Sequence, residues 1–210
     1  MHIKYELQNI ISRNGQVRNG KAIQTITDFL RRKEKAVSAT KERKFGKDEE
    51  TECLKEFISA SNLWYNEIDN SMYIGEGAEQ KIYECSDPNF VLKINDSIFY
   101  SYWQDYFNSL LIHNYFFPHL SYELLGFTIL NQKLYSVVKQ PYVRATESTD
   151  LENVKEFLLE NGFINKKNND YFHPELSIIL EDLHDENVLT SEGVLQFIDT
   201  VFYITDEFYL

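Results

Sequence analysis

The hydrophobic pattern of the first third of the chain is helical. Residues 22–30 place three aliphatic side chains on one helical face, those of Ile23, Ile26 and Leu30. The mostly charged run 31–47 that follows is typical of a surface helix or a linker, and a second helical pattern covers 48–63. We therefore predict that residues 1–69 form a helical, partly basic extension.

The pattern changes near residue 70, where short apolar runs alternate with turn residues. Residues 73–83 predict a strand, a glycine turn and a second strand, and 90–94 predict a short strand with one lysine inside it. Residues 98–114 predict a helix that is apolar almost all round and is therefore buried on several sides. With a strand pair at 124–139, these elements predict one sheet-and-helix unit over 70–139.

The last part of the chain begins at the pattern breaker Gln140-Pro141-Tyr142. Asp150 is placed to cap a helix, residues 178–180 predict a short buried strand, and 188–198 predict a hairpin. We assign these elements to a third segment, 140–210. Strands, one helix, strands, a breaker, a helix and small strands in this order favour an α+β fold in two parts.

The composition is that of a folded domain. Of the 210 residues, 43% are hydrophobic and 15% aromatic, which is enough to bury a core. The first residues lack the apolar run of a signal peptide, and the most apolar stretch, 98–120, is too interrupted by polar residues to span a bilayer. Cys53 and Cys85 are far apart in sequence and predict two thiols in a reducing compartment. We therefore expect a cytoplasmic protein without membrane contacts.

The net charge of −12 is unevenly distributed. Residues 1–47 hold 12 Lys and Arg against 4 Asp and Glu, a net +8, whereas 48–210 hold 9 against 29, a net −20. An acidic surface repels phosphate backbones, which disfavours nucleic acid as the main partner of the body. For the basic head, residues 1–47, the charge pattern favours a solvated helix with docking contacts over a nucleic-acid site.

Two features of the middle segment are suited to binding phosphate. Glycines such as Gly75 and Gly77 let a backbone approach a phosphate closely, although a plain hairpin explains the pair equally well and Gln80 stands where a third glycine is usual. Lys93 interrupts an apolar strand 18 residues after Gly75. A lysine in a buried run needs a partner or an opening, so it either faces water on an edge strand or points into a phosphate cleft.

The strongest candidate chemistry lies between residues 181 and 199. Asp182 and Asn187 are five residues apart on a predicted loop, and Asp199 follows 12 residues later at the end of a predicted strand. Two carboxylates and an amide make an all-oxygen donor set, which Mg²⁺ prefers, with phosphates and water completing the octahedron. The alternative is a pair of ordinary polar turns around a hairpin.

The order Asp-Leu-His-x-x-Asn-Val-Leu from Asp182, followed by Ile198-Asp199, resembles the catalytic loop and metal aspartate of the protein-kinase-like superfamily. The loop is more similar to the aminoglycoside and choline kinase branch than to eukaryotic protein kinases. Residues 73–201 resemble the kinase-like domain of polyvalent proteins of bacteriophages and conjugative elements. The resemblance implies a two-lobed kinase-like fold with a helical extension before it.

The resemblance also implies an ATP-binding site. Gly75 and Gly77 would cover the phosphates, and Lys93 would hold the α- and β-phosphates. The hinge between the two lobes would run through Gln140 and Tyr142, whose backbone would meet adenine.

The catalytic loop would supply the remaining groups of a Mg²⁺-dependent phosphotransferase. Asp182 would orient or deprotonate the acceptor hydroxyl, and Asn187 and Asp199 would bind Mg²⁺. His184 would order the loop by hydrogen bonding rather than bind a metal. The acceptor, a small molecule or a protein, is not indicated by the sequence.

Two departures from the family pattern favour an alternative, a catalytically weak or inactive nucleotide-binding or interaction module. The predicted helix after Lys93 contains no glutamate to pair with it, and Asp105 is the only acid there at a usable spacing. Asp199 is followed by Thr200-Val201 and lies only 11 residues before Leu210, so we expect a reduced C-terminal lobe.

Overall fold

A computed structural model describes residues 2–40, 45–77 and 80–210 of the chain. Its α-helices are α1 (Ile3–Ile11), α2 (Gly20–Thr40), α3 (Lys47–Ala60), α4 (Trp103–Phe116) and α5 (Leu151–Glu160). The first strands are β1 (Tyr73–Glu76), β2 (Gln80–Glu84), β3 (Phe90–Asn95), β4 (Glu123–Leu130) and β5 (Lys133–Pro141). The later strands are β6 (Ile164–Lys167), β7 (Asp170–His173), β8 (Ile178–Glu181), β9 (Val188–Ser191), β10 (Val194–Phe197) and β11 (Val201–Ile204). The protein is thus a mixed α+β structure, as predicted.

The first sheet has five antiparallel strands in the order β1-β2-β3-β5-β4. Its β4–β5 hairpin turns at Asn131 and Gln132, whose φ angles of +48° and +66° suit a tight turn between twisted strands. Because side chains alternate along a strand, Leu92 and Ile94 of β3 pack on one face of the sheet, and Lys93 points to the other.

Helix α4 lies at the centre of the molecule and is buried on nearly all sides, as its all-round apolar pattern predicts. It begins at Trp103 rather than near residue 98. The delay has a local cause, since Ser97 has a φ of +55° and its backbone N–H donates to the Asn95 side chain at 2.6 Å. Residues 96–102 therefore form a loop before the helix.

The first helices share one core with the first sheet. The three aliphatic residues of α2 whose spacing predicted a buried face are at most 1% exposed and pack with α4 side chains such as Trp103 and Phe107. Glu50 of α3, only 2% exposed, accepts hydrogen bonds from the backbone N–H groups of Trp103 (2.6 Å) and Gln104 (3.0 Å) at the start of α4. The helical segment is thus part of the same packed structure as the sheet.

The later strands form a second sheet in the order β11-β8-β7-β6 and a separate β9–β10 hairpin. Sequence analysis predicted β8 and the hairpin but not β6, β7 and β11; β6 is exposed along its whole length and therefore has no apolar alternation. The apolar core under this sheet includes Leu7 and Ile11 of α1, a helix that lies in the predicted helical extension 1–69 but was not predicted individually.

The two ends of the described chain lie side by side. Lys4 Nζ donates to the carbonyl of Glu207 at 2.7 Å, and Gln8 Nε2 donates to the carbonyl of Phe208 at 2.6 Å. Among the described residues, no helix combines the length and the apolar character needed to cross a membrane.

Candidate functional site

A cleft of about 770 Å³ opens between the first three strands and the segment that connects β8 to β11. The first sheet contributes Gly75, Gly77, Gln80, Ile82 and Lys93 to its wall. The opposite wall includes Glu181, Asp182, Asn187, Ile198, Asp199 and Tyr203. Eight residues were predicted from the sequence to bind the nucleotide or the metal or to act in catalysis. The cleft brings together six of them, all except Gln140 and Tyr142.

Lys93 is the buried cation of this cleft, and its side chain is 4% exposed. Its Nζ donates to the Ile198 carbonyl at 2.9 Å and lies 3.8 Å from Asp199 Oδ2. Burial lowers the pKa of Lys93, and the Asp199 carboxylate opposes that shift. Lys93 is therefore not an edge-strand lysine that faces water.

Asp199 is contacted by Gln80 of the cleft wall and by Tyr122, which precedes β4 and does not line the cleft. Gln80 Nε2 donates to Oδ2, and the Tyr122 hydroxyl lies 3.4 Å from Oδ1 while it donates to the Ile198 carbonyl at 3.0 Å. Burial, with the Asp199 charge as a second cause, raises the pKa of Tyr122, so this hydroxyl stays protonated. Sequence analysis noted Gln80 only as a missing glycine and gave no signal for Tyr122.

The loop after β8 is fixed by its own polar groups. Asn187 Nδ2 donates to the Asp182 carbonyl at 2.7 Å and lies 3.3 Å from Asp182 Oδ2. His184 Nδ1 accepts from the Glu186 backbone N–H at 3.3 Å, and the His184 carbonyl accepts from two later N–H groups. These bonds agree with the expectation that His184 orders the loop.

The strand pair β6–β7 supports this loop from outside. Asp182 has a φ of +63°, a conformation that aspartate tolerates better than most residues, and its N–H donates to Asp170 Oδ1 at 3.2 Å. Burial, followed by the charges of Asp170 and Asp182, raises the pKa of Glu181. The sequence gave no signal for Asp170, because β7 was not predicted.

The β9–β10 hairpin returns the chain to Asn187. The carbonyl of Asn187 accepts hydrogen bonds from the N–H groups of Ile198 (3.0 Å) and Asp199 (3.1 Å). The two residues expected to bind a metal are therefore adjacent, although 12 positions apart in sequence. With Nδ2 engaged, the Asn187 Oδ1 is the atom of this side chain that is suited to a cation.

The oxygen donors of the cleft fit a metal ion only in combination with other ligands. Among the described residues, no group of three or more His, Cys, Asp and Glu side chains is placed to hold a metal by itself. One carboxylate and one amide oxygen are too few for a closed all-protein site, but they suit Mg²⁺, which commonly keeps water and phosphate ligands. The residues fit a metal that arrives with a nucleotide.

The two residues predicted to form a hinge lie outside the cleft. Gln140 is 1% exposed, and its side chain donates to the Leu120 carbonyl at 2.9 Å. The N–H of Tyr142 donates to the Asn89 carbonyl at 2.8 Å, which extends the pairing of β5 with the β3 side. Tyr142 lines a separate cavity of about 700 Å³ together with Arg144, Thr146, Ser191 and Glu192.

Helix α4 approaches the site without a carboxylate for Lys93. Among the described residues, Asp199 is the one acid within 4.0 Å of Lys93 Nζ, and the charged neighbours of Asp105 are Glu34 and Lys47. Asp105 is thus not the partner of Lys93. Instead, His113 of α4 holds Thr200, with 2.7 Å between Nδ1 and Oγ1, and its Nε2 lies 3.1 Å from the Leu120 carbonyl.

The chain matches the model of a known protein family. The model of the family described as "Serine/Threonine/Tyrosine Kinase found in polyvalent proteins" covers residues 47–206, which include every residue of the cleft. No curated protein and no solved structure matches the chain significantly. The match confirms the resemblance that the loop motif indicated. The chain therefore belongs to the family of serine/threonine/tyrosine kinases found in polyvalent proteins.

Proposed function

We propose that the protein is an ATP- and Mg²⁺-dependent phosphotransferase with a two-lobed kinase-like fold, and that its active site is the cleft around Lys93 and Asp199. The five-stranded sheet with α4 forms one lobe, and the second sheet with the β9–β10 hairpin forms a reduced second lobe. One observation carries the proposal. A buried ammonium stands 3.8 Å from a carboxylate inside a cleft that also holds the glycine pair and Asn187.

The glycine pair supports a nucleotide over a plain hairpin. A Cβ atom added at Gly75 or Gly77 would meet no atom of the described residues within 4 Å other than those of its chain neighbours, and neither glycine has a positive φ. Packing and backbone conformation therefore do not require glycine at these positions. Close approach of a phosphate chain does require small residues, and Lys93 would hold that chain.

Asn187 and Asp199 would hold the metal through Oδ1 and the carboxylate. Bound there with the nucleotide, Mg²⁺ would neutralise charge on the phosphates. The contributions of this chain are positioning and electrostatic stabilisation, because phosphoryl transfer needs little covalent help.

Asp182 would receive the proton of the acceptor hydroxyl. Its side chain is 60% exposed on the cleft wall, and its backbone is held from both sides by Asn187 and Asp170. An exposed carboxylate on a fixed loop is free to meet an acceptor that enters from solvent. The acceptor is a small molecule or a protein, and the location proposed for the reaction is the cytoplasm.

A catalytically weak or inactive nucleotide-binding module is the second candidate. It is favoured by α4, which gives Lys93 no carboxylate partner, and by the contact between Gln80 and Asp199. In that case, ATP with Mg²⁺ would raise the melting temperature without turnover.

The decisive experiment combines binding with transfer. ATP with Mg²⁺ at 100 times its dissociation constant should stabilise the wild-type fold by about 2.7 kcal/mol. Radiolabelled ATP should then report hydrolysis, autophosphorylation or transfer, and Asp182→Asn should lower the rate by about 10²-fold or more while the thermal shift remains.

Asp185→Asn is the matched control, because Asp185 is exposed on the same loop but does not line the cleft. Its rate should equal that of the wild type. Binding without any transfer would support the inactive module, and no thermal shift at all would refute both candidates.

A further inference from the structure

The contact between Gln80 and Asp199 crosses the cleft and has no counterpart in the predicted chemistry. Gln80 begins β2, directly after the glycine turn, and its amide bonds the carboxylate proposed as the metal ligand. The donor must be Nε2, because an ionised carboxylate has no proton to give the amide oxygen.

The strand register explains why this side chain reaches Asp199. Gln80 pairs with Asn95, and Ile82 pairs with Lys93. Residues directly opposite each other in an antiparallel pair share a face, as do residues two apart on one strand. Gln80 and Lys93 therefore point into the same cleft, and both contact Asp199 on Oδ2.

A divalent cation and the Gln80 amide compete for this carboxylate. Asp199 Oδ2 takes the hydrogen bond from Gln80, and Oδ1 lies 3.4 Å from the Tyr122 hydroxyl. The amide N–H group carries positive partial charge toward Oδ2, so a cation bound at that oxygen repels it. Loss of the bond to Gln80 therefore favours metal binding at Oδ2.

We propose that Gln80 is a positioning residue that ties the glycine hairpin β1–β2 to Asp199 in the metal-free protein and is displaced by the incoming divalent cation. The proposal deepens the proposed function and rests on Asp199 as the metal ligand. It gives Gln80 two consequences that can be measured separately, a more rigid hairpin without ligand and a weaker metal affinity.

The first test is hydrogen exchange of the ligand-free protein. A hydrogen bond to a charged group is worth a factor of roughly ten or more, so Gln80→Ala should speed exchange of the 73–84 amides about tenfold. Asp199→Ala, which removes the acceptor, should have a similar effect, and the double variant should exchange no faster than either single variant. Glu84→Ala, an exposed change on the same strand outside the cleft, should leave exchange as in the wild type.

The second test is calorimetric titration with Mn²⁺ and a non-hydrolysable ATP analogue. Gln80→Ala should bind the pair roughly tenfold more tightly than the wild type, because no amide N–H then competes with the cation for Asp199 Oδ2. Glu84→Ala should bind with wild-type affinity, and thermal melts without ligand should show that each variant is folded.

The outcomes separate this proposal from the proposed function. Unchanged hairpin exchange in Gln80→Ala overturns the tie between hairpin and Asp199, whatever the nucleotide result. Equal Mn²⁺ affinity in wild type and Gln80→Ala overturns the displacement while the proposed function stands. Wild-type protein that binds neither Mn²⁺ nor the analogue overturns the proposed function and the displacement together, and exchange still decides the tie.

Discussion

At the scale of single residues, the burial of Lys93 suits its proposed function better than it suits the stability of the fold. Its ammonium is buried with one carboxylate, and burying such a pair costs about as much as the attraction returns. An apolar side chain of similar length would fill the same space without this desolvation cost. The stability of the fold therefore does not explain the buried cation, which agrees with the phosphate-binding role proposed for Lys93.

Lys93→Met should separate the two roles. We expect the free energy of unfolding to fall by no more than about 3 kcal/mol, the lower end of the cost of removing one partner of a buried pair, because the Asp199 side chain is 26% exposed and keeps its contacts with Gln80 and Tyr122. The thermal shift with ATP and Mg²⁺ should disappear. Urea unfolding with and without the nucleotide measures both.

Lys139→Met is the matched control, because Lys139 lies on the neighbouring strand of the same sheet and pairs with Glu123 at 2.8 Å outside the cleft. It should keep the full shift. A Lys93→Met protein that still gains stability from the nucleotide would contradict the assignment of Lys93.

The residues of the site were predictable to the extent that their chemistry is local in sequence. Asp182, His184 and Asn187 lie within six positions on one loop, and their mutual hydrogen bonds follow from that spacing. Gln80 and Tyr122 reach Asp199 from 119 and 77 positions away, and only the folded sheet decides such contacts.

At the scale of elements, α4 is held by groups from other parts of the chain. Tyr102 precedes it without a capping side chain, and Glu50 of α3 accepts the N–H bonds at its first turn. Burial raises the pKa of Glu50 to about 7, and burial lowers the pKa of His113 near its other end to about 3. The helix thus contains His113 and is capped by Glu50, and folding shifts the pKa values of these two groups in opposite directions.

The effects of Glu50 and His113 on the pH dependence of the free energy of unfolding should nearly cancel between about pH 4.5 and 6.5. There the folded state holds a proton on Glu50 that the unfolded chain loses, so stability falls with rising pH. The unfolded chain holds a proton on His113 that the folded state lacks, so stability rises with pH. Each slope is about 1.4 kcal/mol per pH unit, and below about pH 4.5 only the His113 slope remains.

Glu50→Gln should expose the His113 slope. Relative to the wild type, its free energy of unfolding should rise by roughly 2 to 3 kcal/mol between pH 4.5 and 6.5, because only the histidine titrates. Urea unfolding across this range measures the slope. Glu52→Gln, an exposed change on the same helix, should follow the wild-type profile, and a Glu50→Gln profile parallel to both would contradict the buried cap.

Helices and strands could be predicted from the sequence where the same hydrophobic spacing repeats over enough residues. The 3.6-residue spacing of α2 and the alternation around Asn131-Gln132 both gave the observed structure. Strand β6 is exposed along its whole length and has no apolar alternation, and the structure of β11 depends on its pairing with β8, which the sequence alone does not show.

At the scale of the whole molecule, the family match and the packed core cover different residue ranges. The match begins at residue 47, but the core around α4 also includes Ile23, Ile26 and Leu30 of α2. The boundary at residue 69 was predicted from the change in sequence pattern and stays a prediction. The packing of α2 joins the two sides of that division in one hydrophobic cluster.

A chain limited to residues 47–206 should not fold cooperatively. Loss of α2 would expose the apolar surface of α3 and α4, and circular dichroism with urea titration should show no sharp transition. In the full chain, Ile26→Ala should cost about 2 to 4 kcal/mol, whereas Lys21→Ala on the exposed face should cost little. A truncated chain with the wild-type midpoint would contradict this account.

The hydrogen bonds that join Lys4 and Gln8 to the carbonyls of Glu207 and Phe208 also determine how this protein can be connected to others. Polypeptides fused to its two ends would leave from neighbouring points, so the domain could sit within a larger chain as a side branch. A donor and an acceptor fluorophore attached there would transfer energy efficiently in the native state and lose that signal on unfolding.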